Sequence, residues 1–331
     1  MHIRPVDTKH SNPESELIMK CFVLLIMLAY AQHTIQVSIA SKLTKKQLNV
    51  NTETRSNPAS PGFSAHREHH DLSSDYPVSA TTSWAGATID MLRGNTSEVN
   101  VPAIGSAKAQ WGIPRLCLRE GQNISSAGTL QTWIGISGKA CEPKGAMIQA
   151  GVRAVLQDDG TTAASAWASW YPAIPYMDIV DFNVRAGDVV TVVLTVSNAT
   201  SGEVQITNKR TSHVATQPVY SPDPSVGDFS ICGDGDGRAW AVVEGPFAGE
   251  KDPPDTATSA AEIPVFDDVS FRTLEISAPG KAGARGLHDD TAMLYIVADS
   301  QGVAVNVDAL GDNGFQLYTT QSCANDLENY V

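Results

Sequence analysis

From about residue 80 onward, hydrophobic and polar positions alternate in short runs. The clearest run is V-V-T-V-V-L-T-V at residues 189–196, a β-branched stretch with Gly-Asp before it and Ser-Asn after it. Similar runs occupy residues 132–136, 146–156, 239–244, 269–276, 293–297, 303–307 and 315–318. Gly, Asp, Asn and Pro fill the gaps, as is typical of turns. Because no segment sustains a 3.6-residue apolar period, the pattern predicts an all-β chain, folded as an antiparallel β-sandwich.

The start of the chain follows a different pattern. Residues 21–31, C-F-V-L-L-I-M-L-A-Y-A, form an apolar run that follows Met19-Lys20 and ends in the small-x-small pattern of a signal-peptidase site. A buried core helix is the alternative interpretation, but it explains neither the lysine nor the small residues. Residues 1–18 do not resemble a signal n-region, so Met19 is an alternative start. We therefore expect residues 1–31 to be an N-terminal extension and signal peptide of a secreted, extracellular protein.

Residues 32–78 are polar and carry a net charge of +1, from five Lys and Arg against four Asp and Glu. This composition fits a pro-segment and a disordered linker equally well. Three histidines that lie close together in this segment, His66, His69 and His70, could bind a metal or sense pH, but we interpret them as solvated side chains. The β domain is expected to span residues 79–331.

Charge excludes one class of partner. The chain has 23 Lys and Arg against 36 Asp and Glu, a net charge of −13. Nucleic-acid binding needs clustered cations to neutralise phosphates, so we expect no nucleic-acid partner. Past the signal we also expect no membrane span, since no apolar run reaches the roughly 18 to 20 residues required. No zinc-binding or phosphate-binding motif is present, and we interpret Asp234 and Asp236 as part of a glycine-rich turn.

Cysteines and sequons agree with secretion. After removal of Cys21 with the signal, four cysteines remain, an even number that fits two disulfides in an oxidising compartment. They are Cys117, Cys141, Cys232 and Cys323. The N-x-S/T sequons, which predict a glycoprotein, lie at Asn95, Asn123 and Asn198. Spacing alone leaves all three cysteine pairings open.

Short segments rich in aromatic residues and glycine follow one another in a fixed order. They are S-W-A-G at 83–86, V-N-V-P at 99–102, Q-T-W-I-G-I-S-G at 131–138, M-I-Q-A-G-V at 147–152, A-W-A-S-W-Y-P at 166–172 and G-D-V-V at 187–190. In this order, with I-P-V-F at 263–266 and F-Q-L-Y at 315–318, they resemble the eqolisins, secreted glutamic endopeptidases active in acid. The resemblance covers about residues 81–320. It implies a sandwich of two seven-stranded antiparallel sheets, a concanavalin A-like (lectin-like) jelly roll.

Gln149, in the M-I-Q-A-G segment, matches the catalytic glutamine of the eqolisins. The resemblance implies that its amide polarises the scissile carbonyl, while a glutamate activates a water molecule as general base. Alternation of a strand puts Gln149 on one face with Met147 and Gly151, and we expect the glycine to leave room for a substrate backbone. An outward-facing glutamine is the alternative interpretation.

The glutamate of this pair is missing. Eqolisins carry A-E-W or A-E-F on a strand after a cysteine, followed by two apolar residues and a second glutamate; the corresponding stretch here reads R-A-W-A-V-V-E. Alignment on the tryptophan puts Ala239 at the catalytic position, and ungapped alignment on Glu244 puts Trp240 there. We favour position 240, because its four-residue spacing from Glu244 keeps both residues on one face of a strand. Glu244 matches the second glutamate and is the substitute carboxylate that remains. Ser137 and Ser169 also stand where the family has acidic residues. These losses predict weakened or lost hydrolysis.

Two functions therefore remain open. One is an acid-acting glutamic endopeptidase that uses Gln149 with Glu244. The other is a pseudoenzyme, a non-catalytic β-sandwich that binds peptide or glycan. Both use an aromatic groove on one concave face, built from Trp84, Trp133, Trp167 and Tyr171. We expect a monomer with a peptide, protein or glycan partner, and no cofactor or metal.

The disulfide pairing is predicted from the same site. Cys141 lies eight residues before Gln149 and Cys232 seven before Ala239, so a Cys141–Cys232 bond would join the two strands that carry the site. Cys117 and Cys323 would then be partners.

Overall fold

β-Strands form almost all of the regular structure. The computed structural model describes residues 76–81, 83–91, 102–138, 146–222, 231, 237–245, 262–279, 284–287, 291–299, 302–311, 313–321 and 323, all of which belong to one compact unit, Ser60–Val331. The predicted signal peptide and residues 32–75 lie outside these described residues. Within them, no helix has the length and apolar character needed to cross a membrane.

The strands are short and follow one another closely. The first part of the domain contains β1 (Val78–Thr81), β2 (Trp84–Met91), β3 (Ser106–Gly112), β4 (Leu116–Cys117), the helix α1 (Ile124–Ala127), β5 (Thr129–Gly138), β6 (Met147–Leu156), β7 (Thr162–Tyr171) and β8 (Ile174–Asp178). The remainder contains β9 (Val189–Asn198), β10 (Ser201–Asn208), β11 (His213–Tyr220), β12 (Gly237–Glu244), β13 (Val265–Phe266), β14 (Val269–Ser277), β15 (Ala292–Asp299), β16 (Gly302–Ala309) and β17 (Phe315–Thr319).

The hydrophobic runs predicted as strands between residues 132 and 318 all coincide with strands, except that Ala146 lies one residue before β6. In β9 the buried positions alternate, with Val190, Val192 and Leu194 inside the core, as a half-buried strand requires. The pattern missed strands with weaker signals. In β7 the sequence T-A-A-S-A-W-A-S-W-Y is rich in Ala and Ser, which have little strand preference. The prediction of an all-β, antiparallel fold is therefore confirmed, although not every strand was visible in the sequence.

The hydrogen-bonded strand order is β11-β10-β9-β3-β14-β17-β16-β15-β2-β12-β5-β6-β7-β8, and β1 adds to β15 in the parallel sense. β14 takes part in both halves of this order. Residues 269–271 pair with β17, whereas residues 272–277 pair with β3 after a register shift between Arg272 and Glu275. The two sheets that the resemblance implied are therefore continuous through β14. They do not form two separate sets of seven strands.

The two halves of this strand order pack against each other across the hydrophobic core. The indole Nε1 of Trp111 on β3 donates to Thr132 Oγ1 on β5 over 2.9 Å, a buried bond between facing strands. Trp111 also contacts Phe271, which in turn stacks on Phe315, with ring centroids 5.0 Å apart in each pair. Aromatic side chains therefore fill the space between the layers, as in a β-sandwich.

A disulfide joins Cys117 of β4 to Cys323, as the pairing argument predicted. The Cα atoms are 5.7 Å apart and the bond spans a sequence separation of 206. The predicted Cys141–Cys232 bond lies outside the described residues, as does the sequon at Asn95. The side chains of Asn123, the N-cap of α1, and of Asn198, at the end of β9, are exposed, and their glycosylation stays a prediction.

Candidate functional site

One face of the sheet formed by β2, β12, β5, β6 and β7 carries the residues that the sequence singled out. Cross-strand partners point to the same face of a sheet. Trp240 is the partner of Gly135, and Gly135 is the partner of Gln149, so these three positions form one row across β12, β5 and β6. Ser169 continues the row on β7. We name this side the tryptophan face, after the four residues Trp84, Trp133, Trp167 and Trp240.

A cavity of about 170 Å³ lies on the tryptophan face. It is lined by Trp84, Trp133, Met147, Gln149, Tyr171, Trp240 and Glu244. Trp133 and Gln149 are buried, whereas the other lining side chains are half-buried. Pockets that hold drug-sized molecules measure about 300 to 1,000 Å³. The volume therefore suits a single side chain of a larger ligand.

Trp167 occupies a different place from the other predicted groove residues. It lies on the same face but is only 2 % exposed and does not line the cavity. Its ring packs edge-on against Tyr176 of β8 with centroids 5.0 Å apart, and its indole Nε1 has no hydrogen-bond partner among the described residues. Of the four aromatic residues predicted to form the groove, Trp84, Trp133 and Tyr171 line the cavity.

Gln149 faces the cavity and is nearly buried. Its Nε2 donates to Ser169 Oγ over 3.4 Å, and that hydroxyl donates to the carbonyl oxygen of Ile174 over 2.6 Å. The neighbouring Gly151 does not provide the space expected for a substrate backbone. A Cβ there would lie 2.1 Å from the Thr132 carbonyl oxygen and 2.6 Å from Trp133 Cβ, so the glycine admits the adjacent strand and its indole. The amide of Gln149 is the polar group that β6 presents to the cavity.

The structure distinguishes the two positions proposed for the missing glutamate. Ala239 points into the core, 1 % exposed, in the cross-strand row of Ile89 and Ile136. Trp240 points to the tryptophan face, where its Nε1 donates to Ser137 Oγ over 3.0 Å. Position 240, and not position 239, therefore shares a face with Gln149.

The surroundings of Trp240 are aromatic and cationic. Trp84 meets it edge-on, with ring centroids 5.5 Å apart. The Arg238 guanidinium carbon lies 5.4 Å from the centre of the Trp240 ring, and Arg238 is itself paired with Asp90 through bonds of 2.7 and 3.3 Å. The indole of Trp240 is thus contacted by Ser137, Trp84 and Arg238. It presents no acidic or basic group to Gln149.

Glu244 lies in the same cavity, four residues farther along β12. Its Oε2 accepts a hydrogen bond of 3.0 Å from Trp133 Nε1, and its cross-strand partners are Trp84 and Gln131. Burial raises the pKa of Glu244 to about 7, against the opposing effect of the Trp133 hydrogen bond. Four strand residues span about 13 Å, so Glu244 does not share the row of Gln149.

The structure gives Met147, which strand alternation had placed on the face of Gln149, a place in the cavity, and it adds a hydrogen-bonded pair that the sequence did not identify. A Cβ on Gly135 would lie 2.8 Å from the Met147 sulfur, so the thioether occupies the space above Gly135, between Trp240 and Gln149. Gln131 and the Tyr176 hydroxyl are hydrogen-bonded over 2.7 Å, and burial raises the pKa of Tyr176. Alternation along β5 would have placed Gln131 on the face of Trp133, but β8 has no comparable signal.

Among the described residues, no group of three or more His, Cys, Asp or Glu side chains could hold a metal ion. The arrangement offers one amide, one half-buried carboxylate and several indoles. These are groups that can hold a peptide chain through hydrogen bonds and aromatic contact.

Several known proteins are similar to this chain in sequence or in fold. The sequence profile described as Peptidase A4 family matches residues 82–317. Aspergillopepsin-2 of Aspergillus niger is 29 % identical over 140 residues, which cover 41 % of this chain and about half, 48 %, of that relative. Scytalido-glutamic peptidase, solved with a transition state analog inhibitor, has a TM-score of 0.54 at 19 % identity, over 72 % of this chain and 98 % of its own. SCP-B, a member of the eqolisin family solved with the tripeptide Ala-Ile-His, has a TM-score of 0.52 at 18 % identity and the same coverage.

Proposed function

The chain belongs to the peptidase A4 family, and we propose that it is a secreted protein that binds extended peptides on the tryptophan face, with hydrolysis of the peptide bond weakened or lost. One observation carries this proposal: the residue in the cross-strand row of Gln149 is Trp240, with Gly135 between them. An indole has a single N–H donor and no group that can accept a proton from water. General base catalysis is therefore missing where the family's motif supplies it.

Glu244 is a poor substitute for that base. In acid, where the family acts, a carboxyl group with a pKa of about 7 is protonated, and in this form it cannot serve as the general base that takes a proton from water. Glu244 is also displaced from the row of Gln149 by about 13 Å along the strand. The carboxyl group of Glu244 accordingly makes the cavity wall polar, but it does not form an acid-acting catalytic pair with Gln149.

The serines on the tryptophan face support the same proposal. Ser137 accepts the Trp240 indole N–H, and Ser169 accepts from the Gln149 amide. The site is thereby linked by hydrogen bonds between neutral groups, at positions where eqolisins have acidic residues. Such a network keeps the side chains in place but moves no proton to or from a substrate.

Peptide remains the ligand that the site fits best. SCP-B shares the fold and binds the tripeptide Ala-Ile-His. The cavity here is one side chain in size and is lined largely by indoles, which favour an extended chain with one anchored residue. The Cys117–Cys323 disulfide fits the oxidising compartment of a secreted protein.

Binding and hydrolysis can be measured on the same secreted protein. Tryptophan fluorescence, to which the cavity indoles contribute, is followed while unstructured peptides or oligosaccharides are added. Release of fragments from an unfolded protein is followed between about pH 2 and pH 6. We expect saturable binding of peptide with little or no cleavage, and a loss of affinity of about ten-fold in Trp84→Ala.

The matched control is Tyr220→Ala, an aromatic side chain on β11 that is 59 % exposed and lies outside the cavity. It should bind peptide as the parent does. Rapid cleavage at about pH 3 by the parent, lost in Gln149→Ala, would show an active glutamic endopeptidase. Saturable binding of oligosaccharides without binding of peptides would assign the face to glycans.

A further inference from the structure

The cavity of the tryptophan face combines indoles with one carboxylate. Trp84 is the direct cross-strand partner of Glu244, and Trp133 donates its Nε1 to Glu244 Oε2 over 3.0 Å. Trp240 completes the walls and meets Trp84 edge-on, with ring centroids 5.5 Å apart. Indole faces and a carboxylate around a space of about 170 Å³ are the components of a site for a positively charged group.

The hydrogen-bond donor to Glu244 is a neutral indole, whereas other carboxylates of this domain form ion pairs with arginine. Asp90 is paired with Arg238, and the buried Asp188 is paired with Arg210. Within the described residues, no Lys, Arg or His forms an ion pair with Glu244, which accepts its hydrogen bond from an indole N–H. A half-buried anion without a cation is costly. The cavity therefore has a place for a cation that this part of the chain does not fill.

We propose that Glu244, together with Trp84, Trp133 and Trp240, binds the cationic side chain of a lysine or arginine in the peptide that occupies the tryptophan face. This inference rests on the proposed peptide binding and names the residue that the cavity selects. The volume admits one side chain, and the carboxylate at its wall distinguishes a charged end from an apolar one of the same length.

The chain already uses one of these indoles in this way. Arg238 lies over the Trp240 ring at 5.4 Å from its centre, within the range in which a guanidinium is attracted by the aromatic face. Arg238 forms an ion pair with Asp90, which balances its charge. In the cavity the balancing charge is present as Glu244, and the ligand supplies the cation.

The preference should depend on pH through Glu244. Four groups on neighbouring strands face this region: Arg153 of β6, Tyr171 of β7, Tyr176 of β8 and Tyr295 of β15. None of the four is a carboxyl or imidazole group. Since burial raises the pKa of Glu244 to about 7, its carboxylate is the group that changes charge in this interval.

The test compares three peptides that differ only at one central residue, which is Lys, Arg or norleucine. Dissociation constants are measured by tryptophan fluorescence at pH 8 and pH 5, for the parent and for Glu244→Gln. At about pH 8 the parent should bind the Lys and Arg peptides about ten-fold more tightly than the norleucine peptide. This preference should fall at about pH 5 and be absent from Glu244→Gln at both values.

The control is Glu275→Gln, which removes a carboxylate that pairs with Lys108 outside the cavity and should leave the preference unchanged. Equal affinity of the parent for all three peptides at both pH values would overturn the cation site while leaving peptide binding established. Absence of binding for every peptide would overturn both proposals. The comparison of the parent at two pH values decides the matter even if the Gln variant does not fold.

Discussion

Trp240 and Gln149 lie in one cross-strand row of the tryptophan face, with Gly135 between them. Adjacent Cβ atoms in such a row are about 5 Å apart, so the two side chains start about 10 Å from each other. Because Gly135 has no side chain, the space between them is bounded by Met147, whose sulfur would lie 2.8 Å from a Cβ at that glycine. A carboxylate at position 240 would enter this space on the side of Gln149.

Trp240→Glu should therefore create acid endopeptidase activity. A positioned general base contributes roughly 10² to 10⁴-fold, so cleavage of an unfolded protein near about pH 3 to pH 4 should rise by that order over the parent. Trp240→Gln, of equal size but without a base, is the control and should show no gain. If Glu and Gln at position 240 give the same rate, the indole is not what limits hydrolysis.

Ala239→Glu should have the opposite outcome. Ala239 is buried in the row of Ile89 and Ile136, so a carboxyl group there enters the core without a partner. We expect the free energy of unfolding to fall by about 3 kcal/mol or more, with no gain of hydrolysis. Urea unfolding of the parent and the variant measures this change. Arg238→Glu, on the same strand, is not a suitable control, because that substitution would itself break the ion pair between Arg238 and Asp90. A stable, active Ala239→Glu variant would show that position 239 faces the site.

Glu244 should make the protein less stable as pH rises. Its pKa is about 7 in the folded state against an ordinary 4.5, so the folded protein holds a proton that the unfolded chain has released. Stability should fall between about pH 4.5 and about pH 7 and change no further above that, by up to about 3 kcal/mol from this group. In Glu244→Gln this contribution disappears. Urea unfolding at pH 5 and pH 8 on both proteins isolates it, and equal pH dependence of the two would contradict it.

Asp188 should be a stabilising charge with the opposite pH dependence. It is buried and accepts hydrogen bonds from Arg210, from Asn208 Nδ2 over 2.9 Å and from the Arg185 backbone N–H over 3.2 Å. These contacts, led by Arg210, lower its pKa to about 2. Its contribution should be present above about pH 4 and lost as pH falls toward 2.

Asp188→Asn should accordingly cost about 2 to 4 kcal/mol of unfolding free energy at neutral pH, and Arg210→Ala should also be destabilising. The matched control is Arg185→Ala, since that side chain is 69 % exposed and its Nε lies 3.7 Å from Asp188. Its effect should be below about 1 kcal/mol. Similar losses for Arg185→Ala and Arg210→Ala in urea unfolding would show that the hydrogen-bonded Arg210 contributes no more than the more distant Arg185.

The Cys117–Cys323 bond closes a loop with a sequence separation of 206. Replacing both cysteines by serine should lower the unfolding free energy by about 2 to 5 kcal/mol, because the unfolded chain loses its constraint. The double variant keeps any other cysteine pair intact, which a reductant would not. Thermal unfolding of the parent and the variant without reductant gives the difference, and equal melting temperatures would show that the bond is dispensable.

The sequence by itself determined the fold class and the strands with strong alternation. In β9 each second residue is a large apolar one, and this local pattern depends on no other part of the chain. The ordered aromatic and glycine segments likewise indicated the family and singled out Gln149 and Glu244. β7 was hidden because Ala and Ser pack into its buried positions without a strong preference for strands.

Only the tertiary structure decided which way the site residues point. Alternation allows two phases, so the sequence could favour Trp240 over Ala239 only by its spacing from Glu244. The pairing of β12 with β5 then placed Trp240 opposite Gly135. The indole donor of Glu244 is Trp133, 111 residues earlier in the chain, and no local pattern could reveal that contact. The continuity of the two sheets through β14 depends on a register shift in the middle of one strand. Strand periodicity is a local property, whereas register and partners are set by packing between distant segments.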